Sequence, residues 1–139
     1  MILKLEKNLF CLCDLAVSSL NEYRKELDKR VKKDIKAYTS EHFSFLCVLT
    51  DIVRQADAVL LEITEEIKKA EAENEPEKSK NFTSLFDRGI LLKNTLENYF
   101  RASDNIFKED DFLIELKKLT DATMRKMIAI RNTQDGPIL

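Results

Sequence analysis

The chain has 139 residues, of which 44% are hydrophobic and 35% charged, with a net charge of −2. A single domain of this size can bury a core and fold unaided, and two Gly, two Pro and no Trp argue against a turn-rich all-β fold, where sharp bends call for Gly and Pro. The slightly acidic balance gives no global basic field to attract nucleic acid, and no run approaches the roughly 18 apolar residues of a membrane span.

The first residues, Met1-Ile-Leu-Lys-Leu-Glu-Lys, interleave charges with apolar side chains, unlike the continuous apolar stretch of a signal peptide. A cytoplasmic protein is the expectation, so Asn81-Phe82-Thr83, although it fits the glycosylation pattern, is read as coincidental. Cys11, Cys13 and Cys47 are expected to be buried, reduced thiols acting as small apolar groups. In a hairpin turning near residue 40, Cys13 and Cys47 lie roughly 28 Å apart along the axis at 1.5 Å per residue, beyond disulfide reach.

The first predicted helix, 5–38, carries one apolar line: Leu5, Leu9, Leu12, Ala16, Leu20, Tyr23, Leu27, Val31, Ile35 and Tyr38. Steps of three and four over this length are the pattern of an amphipathic helix. Thr39-Ser40 offers a cap for a second helix, 41–72, with Phe45, Leu49, Ile52, Ala56, Leu60, Ile63, Ile67 and Ala70 on its line. The polar stretch 73–81, with Pro76, is the expected linker. A third helix, 82–106, follows through Phe82, Leu85, Phe86, Leu92, Leu96, Tyr99 and Phe100, with Gly89 allowing a close helix–helix approach. Glu109-Asp110-Asp111 suit the start of a fourth helix, 110–132, because the helix dipole favours acids there. Its line is Phe112, Leu116, Leu119, Thr123, Met127 and Ile130, and Gly136-Pro137 closes the chain. Four such helices predict one all-α domain, 1–139, folded as an antiparallel up-down-up-down four-helix bundle with a long N-terminal hairpin.

Chemistry finds little purchase in this pattern. Bundle metal sites use inward carboxylates with Glu-x-x-His pairs, but the single histidine, His42, has Glu41 beside it and suits a surface or capping role. No Gly-rich elbow presents a nucleophile, and two isolated glycines build no phosphate loop. Glu62, Glu65 and Glu66 fall at helical spacing with Lys68 and Lys69, as on a solvated face. No enzymatic activity, metal or cofactor is therefore expected.

Basic residues cluster in two places. Lys25, Lys29, Lys32 and Lys36 share one helix face, and residues 24–36 hold seven bases against three acids. Such a stripe can follow a phosphate backbone, but it lacks the aromatic interleaving of base stacking. In an up-down bundle the acids at 104–111 would lie towards this basic end, and Arg125, Lys126 and Arg131 towards the acids at 62–77, so charge matching within the bundle explains most of the asymmetry. Residues 124–132, Met-Arg-Lys-Met-Ile-Ala-Ile-Arg-Asn, resemble the Arg-Asn motif of HEPN-type helical ribonucleases and RNA-binding domains. In that family a His follows the Arg and a further helix completes the fold. Here no His follows Arg131-Asn132. The resemblance spans these nine residues of 139 and implies a member without the catalytic histidine, so only binding of RNA or a partner carries over.

Apolar excess is the third feature. Leu9-Phe10-Cys11-Leu12-Cys13, the run from Phe45 to Leu49 and the run from Ala58 to Leu61 are apolar all round the helix, which demands cover on every side. A partner or a second copy would supply it, through Leu9, Phe10, Leu12, Phe45, Leu46 and Leu61. The function expected is a non-enzymatic interaction module: an adaptor, an inhibitor or a small subunit of a larger complex. The alternative is an RNA- or DNA-binding helical domain using the lysine stripe or Arg125, Lys126 and Arg131.

Overall fold

A computed structural model describes the backbone of residues 1–30, 35–101 and 108–135, and side chains for 1–26, 42–100 and 111–132. These residues form a bundle of four helices: α1 (Ile2–Arg30), α2 (Ile35–Ala72), α3 (Pro76–Arg101) and α4 (Lys108–Asp135). No strand occurs among them, and none of the helices is long and apolar enough to cross a membrane.

The three-and-four spacing on each helix generates one core. Leu5, Leu9, Leu12, Ala16, Leu20 and Tyr23 of α1 meet Phe45, Leu49, Ile52, Ala56 and Ile63 of α2. Leu85, Leu92, Leu96 and Tyr99 of α3, with Phe112, Leu116 and Leu119 of α4, complete it. Each fully buried Leu, Ile or Phe contributes about 1.5–3 kcal/mol relative to exposure, so these stripes outweigh helix propensity in holding the bundle. The helices form a ring: α1 packs on α2 and α4, α2 on α3, and α3 on α4. α2 and α4 stand diagonally, with no Cα atoms within 8 Å of each other among the described residues.

Threonines tolerate the helix interiors by bonding backward along their own helix. The hydroxyls of Thr50, Thr64, Thr83, Thr95 and Thr120 each donate to the carbonyl four residues earlier at 2.7–2.9 Å.

The α2–α3 corner is tighter than the expected linker 73–81. Asn74 takes φ 58°, the left-handed conformation that Asn accepts more readily than most residues. Its N–H donates to the Glu71 carbonyl at 3.2 Å, and the Glu75 N–H to that of Ala70 at 2.8 Å. This pair of bonds is a Schellman ending, which satisfies the last carbonyls of α2. Pro76 then opens α3 instead of lying in a loop, because a first helical position needs no N–H donor and suits the fixed φ of proline. Glu77 follows in the first turn, where an acid is favoured by the dipole.

The other boundary departs further. α2 begins at Ile35, so Thr39 and Ser40 lie within the helix and do not cap it. Neither residue forbids helix; each costs only some tenths of a kcal/mol against Ala, and no Gly or Pro stands nearby to enforce a break. Glu109 and Asp110 do fall in the first turn of α4. Thr123 is the last fully buried residue of α4 among the described side chains, while Met127 and Ile130 of the expected apolar line are only half-buried. Leu3 and Lys7 of α1 border this end beside Met124, Met127, Ile128 and Arg131.

Gly89 sits where α3 meets α2. A Cβ there would stand 2.7 Å from Leu60 Cδ2, closer than carbon atoms tolerate, so the close approach expected at this glycine is present.

Candidate interaction surfaces

The most polar feature of the interior is one that periodicity conceals. Glu6 of α1 is 0% exposed and is held by Arg88 of α3. Arg88 Nη1 donates to Glu6 Oε2 at 2.6 Å, and Arg88 Nη2 donates to Glu6 Oε1. Nη1 also donates to the Thr123 hydroxyl of α4 at 3.3 Å, so one guanidinium ties three helices together. A bidentate fork of this kind fits the planar geometry of a carboxylate. No buried side-chain N or O lacks a hydrogen-bond partner among the described residues, so the centre is saturated internally. A sequence clue exists: Glu6 follows Leu5 and precedes Leu9 on the inner arc, while Arg88 stands between Leu85 and Leu92.

Cys13 lies in the same interior. Burial, partly opposed by the charge of Arg88, pushes its thiol up to about 12 from the ordinary 9.0. Cys11 and Cys47 are exposed, not buried as expected, and all three thiols are free. Position on the helix explains this: Cys13 falls on the arc of Leu9, Ala16 and Leu20, whereas Cys11 and Cys47 point away from their helices' apolar lines.

His42 neither caps a helix nor stands alone. Its Nδ1 bonds the Tyr23 hydroxyl at 2.9 Å. Tyr23 packs edge-on to Phe45 with ring centroids 4.5 Å apart, Phe45 meets Tyr99 at 5.6 Å, and Tyr99 stacks on Phe112 at 4.6 Å. These aromatic contacts cross all four helices. Towards the middle of the α2–α3 seam, Lys93 Nζ reaches Asp57 Oδ1 at 2.8 Å. The hydrogen bond to Asp57, then that carboxylate's charge, hold the ammonium above its ordinary value.

The residues expected to meet a partner divide. Leu9, Leu12 and Phe45 are buried in the chain's own core and are corrected to structural residues, because their helix faces point directly at neighbouring helices. Leu46 is half-buried against that core, and Phe10 is also half-buried. Leu61 is 69% exposed, and so is Phe43 at 67%, a residue not singled out by spacing. The apolar runs are thus covered on their inner sides and open on their outer ones. No group of His, Cys, Asp and Glu among the described residues could hold a metal ion.

Two seams form grooves. Between α1 and α2, about 380 Å³ is lined by Leu15, Ser18, Ser19, Tyr23, Phe45 and Val48, with Glu22 and Glu26 at the rim. Between α1 and α4, about 350 Å³ is lined by Leu3, Met124, Met127 and Ile128, with Lys7 and Arg131.

Lys25 is exposed and pairs with Glu22 at 3.8 Å; the side chains of Lys29, Lys32 and Lys36 lie outside the described residues, as do those at 104–110 and the closing Gly136-Pro137. Arg125 and Arg131 are exposed and Lys126 half-buried, and Arg131 belongs to the α1–α4 groove. No family model, curated protein or solved structure matches this chain.

Proposed function

We propose that this chain is a non-enzymatic helical interaction module, an adaptor, inhibitor or small subunit, that works in the cytoplasm through exposed helix faces. The observation that carries this reading is the apolar surface on the outside of the bundle: Leu15 and Val48 at one seam, Phe43 and Leu61 on outer α2, Met124 and Ile128 at the other seam. Scattered exposed leucines are ordinary, but here four of these six line grooves, the form in which apolar surface receives another chain. Interior polar groups favour the same reading, since Arg88 bonds both Glu6 and Thr123 and each groove has apolar side chains at its floor, among them Leu15 and Val48 in one and Leu3, Met124 and Ile128 in the other.

The accompanying topology is up-down-up-down, with α1 and α2 as a long N-terminal hairpin. Pairings support it: Tyr23 contacts Phe45, whereas Ile2 shares a pocket with Ala70. On the next seam Asp57 pairs with Lys93 and Leu60 faces Gly89. Numbers that rise on one helix fall on its neighbour, as antiparallel packing requires.

The test is affinity capture of the full chain from its native extract, with and without nuclease, beside the Phe43→Asp and Leu61→Asp variants. The reading expects a protein that survives nuclease and is lost with the variants while helicity is kept. Material that vanishes with nuclease, and with Lys25→Glu or Arg125→Glu, would establish the nucleic-acid alternative.

A further inference from the structure

We draw no further inference here: the strongest candidate, the apolar groove between α1 and α4 lined by Leu3, Met124, Met127 and Ile128, is an unpartnered surface, and nothing in the structure shows what covers it.

Discussion

Arg88 on α3 grips Glu6 on α1 with both terminal nitrogens, Nη1 lying 2.6 Å from Oε2, at a point where Glu6 exposes no surface at all. Two buried charges lose much of their hydration, and their attraction repays that loss only while both are present. The pair links α1 to α3, and replacing both partners by apolar side chains is expected to be nearly neutral.

Removing one partner should accordingly be far worse than removing both. Glu6→Ala or Arg88→Ala alone leaves an uncompensated buried charge and should cost about 3–5 kcal/mol. The Glu6→Leu/Arg88→Met double variant should lie closer to the unmodified chain than Glu6→Leu or Arg88→Met alone. Urea unfolding of the complete cycle gives the coupling directly, and strictly additive single effects would contradict a linked pair.

Cys13 gives a pH dependence with a definite sign. Its thiol is raised in the folded state to about 12 from 9.0, so the unfolded chain releases that proton first. The contribution is fully kept below pH 9 and lost progressively between about pH 9 and 12, at up to about 1.4 kcal/mol per pH unit. Comparing unfolding of the unmodified chain with Cys13→Ala across this window isolates it from lysine titration. At pH 8 a thiol reagent should label Cys11 and Cys47 promptly and Cys13 only on unfolding, as intact-mass analysis would resolve.

The core was legible because burial obeys helical spacing: Leu5, Leu9, Ile52, Leu92 and Leu116 were all marked by steps of three and four. Glu6 and Arg88 were not, since a periodic pattern scores polarity residue by residue and cannot see that two opposite charges on distant segments cancel. Pro76 reads as a loop residue in the sequence because the same proline that breaks a helix interior is well suited to its first position. The α1–α4 groove is hidden from the sequence for a different reason. It belongs to no single helix, and Leu3, Met124 and Ile128 come together only once the bundle closes.

The α2–α3 corner predicts a ranked series at Asn74. Its φ of 58° is open to Gly at no steric cost, so Asn74→Gly should be neutral or slightly stabilising. Asn74→Val, β-branched and forced into the left-handed region, should cost about 1–2 kcal/mol. Thermal denaturation of the two variants beside the unmodified chain should order them in that way, with equal stability arguing against the Schellman ending.

Gly89 sets two effects against each other. Ala in its place would gain about 1 kcal/mol of helix propensity, but its Cβ would meet Leu60 Cδ2 at 2.7 Å. That atom is the end of a flexible side chain, and moving it off its rotamer costs about 0.5–1.5 kcal/mol. Gly89→Ala should therefore change stability little. In a Leu60→Ala background the obstruction is gone, and the same substitution should stabilise by about 1 kcal/mol. Denaturant midpoints in both backgrounds decide it: an identical effect in the two would mean that Leu60 does not constrain α3.

Leu9 and Leu61 look equivalent in an apolar run, and the bundle separates them. Leu9 is 1% exposed in the shared core, so Leu9→Asp buries an unpaired carboxylate among aliphatic side chains. The group must either lose its charge or force the helices apart, and it should cost upwards of about 4 kcal/mol, enough to unfold a domain of ordinary stability. Leu61→Asp keeps its carboxylate in water and removes little packing, so its stability should change by no more than about 0.5 kcal/mol. Circular dichroism melts of both variants make the comparison. Loss of folding in Leu61→Asp would mean that outer α2 is covered within the chain itself, whereas a folded Leu9→Asp would mean that α1 does not carry the core.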